Sequence, residues 1–127
     1  MKETLQEMNA AEQQEENQRE KEKSLTALDH FRRGLRAQTQ GREQDAMKEY
    51  TEAIRKDPNY AATYDSRGHL HKKLKDFEKA LEDYNKAIEL SPDNITSKWV
   101  HLCRASAYES LGQEALAKAD RDAAAEL

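Results

Sequence analysis

From Ser24 onward, apolar residues recur every three or four positions in stretches of about 12–15 residues, each closed by a short polar break. Leu28, Phe31 and Leu35 mark one side of the first stretch, and Ala46, Tyr50, Ala53 and Ile54 mark one side of the second. Such spacing predicts amphipathic helices that bury one stripe each. Ala, Glu, Lys, Leu, Arg and Gln dominate the chain, and these residues lose little side-chain freedom in a helix. Four Gly and two Pro leave few turn signals, so the elements are long and the chain is all-α. Residues 1–24 differ. They hold seven Glu, four basic residues and almost nothing apolar after Ala11. Leu5, Met8 and Ala11 make one short stripe that does not continue, which predicts a solvated, charged N-terminal tail or helical extension. A partner-binding or dimerising helix is the alternative for it.

The helical stretches repeat. At an offset of 34 residues Arg33 falls on Arg67, Gly34 on Gly68, Ala46 on Ala80, Tyr50 on Tyr84, Ala53 on Ala87, Ile54 on Ile88 and Pro58 on Pro92. A third unit follows at a larger offset. In it Arg104-Ala105 replaces Arg67-Gly68, Ala117 and Ala124 continue the small positions, and Arg121 stands where Tyr50 and Tyr84 stood. This register needs three extra residues between Pro92 and Trp99, placed in a longer inter-repeat turn or explained by a terminal repeat. Gly34, Gly68 and Ala105 are expected to meet Ala46, Ala80 and Ala117 at close helix–helix contacts, and Pro58 and Pro92 to end the second helix of each pair.

These matched positions, and above all the run YDSRGHLHKKLKDFEKALEDYNKAIELSP from Tyr64 to Pro92, resemble the tetratricopeptide repeat. The resemblance covers residues 25–127 and implies three helix-turn-helix units, at about 27–60, 61–94 and 98–127. They would stack as a short right-handed superhelix, an α-α solenoid. It further implies a protein-interaction adaptor that holds a protein or peptide segment on a concave face built from the first helix of each unit. Carried over by position, that face comprises Leu28, Phe31, Arg32, Leu35 and Gln38, then Asp65, Ser66, His69 and Lys72, then Trp99, Leu102, Cys103 and Ser106. Phe31, Leu35, Trp99 and Leu102 make such a groove partly apolar. Helix spacing alone leaves Phe31, Leu35 and Trp99 equally placed for the core.

One subgroup of the family clamps acidic chaperone tails with Lys, Asn and Arg. At the matching places stand Phe31, Leu35, Ser66, Trp99 and Cys103, none of which supplies the charge-assisted donors that a carboxylate needs. Composition narrows the rest. The net charge of -4, from 25 acidic and 21 basic residues, offers no basic field for nucleic acid. No apolar run approaches the ~20 residues that span a bilayer, so membrane insertion is not expected. The single cysteine, Cys103, fits a reducing compartment, and the N-terminus does not look secretory. A cytoplasmic protein is expected, with association to a cilium or the cytoskeleton as the alternative. His30, His69, His71 and His101 have no metal-ligand spacing, and no triad or phosphate-binding loop is present, so neither catalysis nor a cofactor is expected. A small structural subunit of a larger complex, or self-association, is the competing role, and a co-chaperone lacking the usual clamp is a third.

Overall fold

A computed structural model describes residues 2–92 and 95–127, with the side chains of all of these but residues 2–8, 23, 95 and 96. Seven helices make up the described residues: α1 Lys2–Ser24, α2 Ala27–Thr39, α3 Glu43–Lys56, α4 Ala61–Lys73, α5 Phe77–Leu90, α6 Ile95–Ser110 and α7 Glu114–Ala125. The last six form three antiparallel pairs, α2 with α3, α4 with α5 and α6 with α7. The pairs stack through α3 on α4, α5 on α6 and α4 on α6, as expected of units that cannot bury their apolar stripes alone.

Local chemistry sets the boundaries. Thr26 and Asp29 form a reciprocal capping box at the start of α2, each backbone N–H donating to the other's side-chain oxygen. Those bonds hold the Asp29 carboxyl below its usual range. The two helices of every pair are joined by a residue in the left-handed conformation: Gly41 (φ 76°), Lys75 (φ 63°) and Gly112 (φ 74°). The following N–H reaches back to the carbonyl five residues earlier in all three turns, a helix stop that glycine adopts without strain. Pro58 and Pro92 come two residues after α3 and α5 end.

The three extra residues of the third unit lie inside a helix and not in a longer turn. α6 is 16 residues long where α2 and α4 have 13. α6 therefore starts at Ile95, three residues before the unit boundary expected from the sequence.

The close contacts inside the pairs differ in one respect from the expectation of glycine against alanine. Ala46, Ala80 and Ala117 are fully buried. The atoms that a Cβ at Gly34 would meet first are those of the Tyr50 ring, at 2.4 and 2.6 Å. At Gly68 they are those of Tyr84, at 2.8 and 2.9 Å. The glycine thus makes room for an aromatic ring one turn further along the partner helix. The third pair carries the converse: Arg121 replaces the tyrosine and turns outward to Glu109 and Glu114, and a Cβ is present at Ala105. Each buried ring keeps a partner for its hydroxyl. Tyr50 donates to Gln38 Oε1 at 2.7 Å, and Tyr84 meets His69 Nδ1 at 3.2 Å. Burial pushes the Tyr50 phenol up to about 12 and the Tyr84 phenol higher still.

A second repeated contact escaped the sequence pattern. Arg67 forks onto the buried Asp83 with two bonds of 2.8 Å, and Arg104 holds the buried Asp120 in the same way, with Nε at 2.8 Å from Oδ2. The spare guanidinium nitrogens reach the preceding unit, to Thr51 at 3.4 Å and to Asn85 at 2.8 Å, positions that are themselves 34 residues apart. Each arginine therefore ties its own pair together and stitches it to the unit before. In the first unit the roles divide. Arg33 reaches back to Glu22 of α1, and Glu49 bonds His30 Nδ1 at 2.8 Å.

The two ends of the stack are polar where its interior is apolar. Arg36 occupies the position at which Leu70 is buried against the first pair. At the other end Lys118, Arg121 and Ala125 occupy the positions of Leu81, Tyr84 and Ile88. α7 consequently buries Ala117, Asp120 and Ala124 against α6 and turns a charged face outward. α1 packs extensively on no other helix among the described residues, and its side chains from Asn9 to Glu22 are exposed. Leu5 and Met8, two members of its short apolar stripe, lie outside the described side chains.

Candidate functional site

The first helices of the pairs, α2, α4 and α6, share one face, and the thirteen positions singled out in the sequence divide on it. Leu35, Gln38, Asp65, Ser66 and His69 come together with Thr39 and Lys73 around an open cleft of about 430 Å³ between α2 and α4. Cys103 of α6 joins them through His69, its Sγ lying 3.9 Å from Nε2. Leu102 and Ser106 flank Cys103 on α6, and Trp99 lies one turn before it. Leu28, Phe31 and Arg32 lie nearer the start of α2, and neither they nor Lys72 line the cleft.

Exposure separates groove from core. Trp99 is 64% exposed, more than any other large apolar side chain among the described residues, and Leu35 and Leu102 are exposed as well, at 41% and 37%. Leu28 is also exposed. Phe31 is different. It is half-buried, with its ring centroid 6.1 Å from that of Tyr50 and 5.5 Å from that of Tyr60, and it belongs to the packing between the first and second pairs.

The floor of the cleft is polar. Asp65 is half-buried, with His69 Nδ1 4.0 Å away, an ion pair only when the imidazole is protonated. Burial pushes the Asp65 carboxyl above its usual range, and His69 offsets part of that rise. Lys73 pairs with Glu43 at 2.8 Å. Cys103 is half-buried, and burial, with Asp65 adding to it, raises its thiol; the pull of Lys72 in the other direction is smaller. A raised thiol holds little thiolate at neutral pH, so Cys103 is a poor nucleophile here. The other three histidines are engaged inside the pairs: His30 with Glu49, His71 Nε2 with Asp83 at 3.7 Å, and His101 Nδ1 with Asp120 at 3.1 Å. Burial lowers the His71 imidazole despite the neighbouring Asp83 carboxylate. Among the described residues no helix is long and apolar enough to cross a membrane.

The fold defines an all-α helical-repeat protein, and comparison with known proteins gives the repeat its name. The tetratricopeptide repeat family model matches residues 63–94. Tetratricopeptide repeat protein 6 of Homo sapiens is 32% identical over 71 residues, which are 56% of this chain and 14% of that protein. The chain thus spans a small part of that relative's length. The first TPR of Spaghetti (RPAP3), bound to the HSP90 peptide SRMEEVD, superposes with a TM-score of 0.74 at 26% identity, over 80% of this chain and 78% of that one. The TPR2B-domain:pHsp70 complex of yeast Sti1 gives a TM-score of 0.71 at 32% identity, over 77% and 76% of the two chains. The units of this chain are tetratricopeptide repeats.

Proposed function

We propose that this chain is a protein-interaction module that holds a peptide segment of a partner on the face shared by α2, α4 and α6. One observation carries the reading: Leu35, Trp99 and Leu102 remain exposed on that face, the indole of Trp99 most of all. Exposed apolar residues rimmed by polar ones mark binding surfaces, and aromatic anchors supply most of the affinity at such surfaces. Two structurally similar domains carry chaperone peptides, which supports a peptide ligand in general. The ligand differs in kind from an acidic tail. Phe31, Leu35, Ser66, Trp99 and Cys103 stand at the clamp positions and bring no cation to them.

The test is recovery of partners by immobilised wild type against the paired variant Leu35→Ala, Trp99→Ala. Both residues are exposed, so the pair leaves the fold intact, whereas Phe31→Ala would also disturb the packing on Tyr50 and Tyr60. Loss of the recovered partner with an unchanged helical spectrum is expected. Equal recovery by the folded variant would sink the proposal.

A further inference from the structure

The carboxylates withdrawn from solvent are not all held alike. Asp83 and Asp120 are buried and each is gripped by an arginine fork. Asp65 is also withdrawn from solvent, with its side chain 28% exposed, yet no lysine or arginine among the described residues pairs with it. Nearest to it is the imidazole of His69 at 4.0 Å, an ion-pair partner only when protonated, whose Nδ1 also lies 3.2 Å from the Tyr84 hydroxyl and whose Nε2 lies 3.9 Å from Cys103 Sγ. Lys73, the cation lining the same cleft, is taken by Glu43. A partly desolvated carboxylate faced by an imidazole, and by no lysine or arginine, is an arrangement that a cationic ligand can complete.

Resting on the groove reading above, we propose that the cleft between α2 and α4 receives a lysine or arginine side chain of the bound peptide, set against Asp65, while a neighbouring aromatic or aliphatic residue covers Trp99 and Leu102. The geometry fits such a pair. The cleft of about 430 Å³ admits one long side chain, and Leu35 on its wall lies beside the methylene stem that lysine and arginine bury while their charge reaches a carboxylate. Ser66 lines the same space and offers an acceptor for a remaining N–H group, whereas Gln38 Oε1 already accepts from Tyr50. Cys103, bonded to His69 across the α4–α6 boundary, joins this polar floor to the apolar turn of α6 that carries Trp99 and Leu102. At Asp65 the groove thus presents a carboxylate where a clamp for an acidic tail presents cations, while Lys72 acts on the Cys103 side of it. The rise in the Asp65 carboxyl has the same origin, since burial is not balanced by a strong base inside the protein.

The experiment is selection of a random phage-displayed peptide library on the wild type, followed by fluorescence anisotropy of the selected peptides with wild type, Asp65→Asn and Trp99→Ala. The expected result is enrichment of Lys or Arg adjacent to a large apolar residue. Affinity should fall about tenfold or more in Asp65→Asn, and by a similar factor when the peptide's basic residue becomes norleucine, with little further loss when both changes are combined. Peptides that depend on Trp99 but are acidic or uncharged, or that bind Asp65→Asn undiminished, overturn this inference and leave the groove reading standing. Peptides indifferent to both Asp65 and Trp99 overturn the two together. Asn is nearly isosteric with Asp, and an unchanged helical spectrum for each variant shows that the fold is not what changed.

Discussion

Gly34→Ala isolates the contact on which the repeat is built. In an exposed helix the change stabilises by about 1 kcal/mol, because alanine is the better helix former. Here the new methyl would lie 2.4 Å from the Tyr50 ring. The ring has little freedom to retreat, since it is completely buried and its hydroxyl is bonded to Gln38 at 2.7 Å. Overpacking of this kind costs about 1–3 kcal/mol, and so short an approach places the cost near the upper end. The net expectation is a loss of about 2 kcal/mol, or roughly 1 M in the urea midpoint of a domain this size. Gly68→Ala, where the nearest ring atom is at 2.8 Å, should lose less. The decisive comparison is a double-mutant cycle with Tyr50→Leu, which shortens the side chain opposite the glycine. In that background Gly34→Ala should cost nothing or stabilise by up to about 1 kcal/mol, as the pairing of Ala105 with Arg121 in the third unit already indicates. Urea unfolding followed by circular dichroism reads all four corners. If Gly34→Ala raised the midpoint equally with and without the tyrosine, the glycine would have no packing role and the reasoning would be wrong.

Four further outcomes follow from the same structure. Asp83→Ala strands the Arg67 guanidinium and should cost about 3 kcal/mol in urea unfolding, with Asp120→Ala close to it; a loss under about 1 kcal/mol for either would show the forks to be incidental. Lys75→Gly relieves a left-handed φ at an exposed turn position and should stabilise by up to about 1 kcal/mol, measured by the same unfolding curve, whereas Gly41→Ala should do the reverse. Burial lowers the His71 imidazole in the folded state, so the unfolded chain binds more protons as pH falls below ~6.5, and the stability present above that value is lost on acidification. His71→Gln should flatten that slope, and an NMR titration should place the His71 midpoint below that of an ordinary histidine. Trp99→Ala should change the unfolding free energy by no more than about 0.5 kcal/mol, because the indole is exposed, so any loss of binding it causes reads directly as a groove effect.

The fold was largely legible because its determinants are local and periodic. A 34-residue offset that aligns Gly34 with Gly68, Tyr50 with Tyr84 and Pro58 with Pro92 marks which residues face inward and where each helix stops. What the small residues touch was less visible. Glycine and alanine both permit close approach, and only coordinates distinguish a backbone neighbour from the Tyr50 ring. The place of the three extra residues was hidden for a similar reason, since a helix and a turn can each absorb them without disturbing the flanking pattern. The arginine forks went unread although their signal was present. Arg67 and Asp83, and likewise Arg104 and Asp120, are separated by 16 residues, but charged residues abound in this chain and an isolated pair carries little weight. On the candidate site, the family resemblance implied a face but not the depth of each residue on it. Phe31 and Leu35 are one turn apart on α2, yet Phe31 turns into the packing between pairs and Leu35 remains on the rim of the cleft. Phe31 packs there on Tyr50 and on Tyr60, a residue just before α4 that no pattern within α2 reveals.

Hydrogen–deuterium exchange of the chain with and without its bound peptide or partner bears most directly on the central claim. Protection concentrated in α2, α4 and α6, strongest around Leu35, Asp65–His69 and Trp99–Cys103, is the result the account predicts. Protection confined to α1, or to the outer helices α3, α5 and α7, would contradict it.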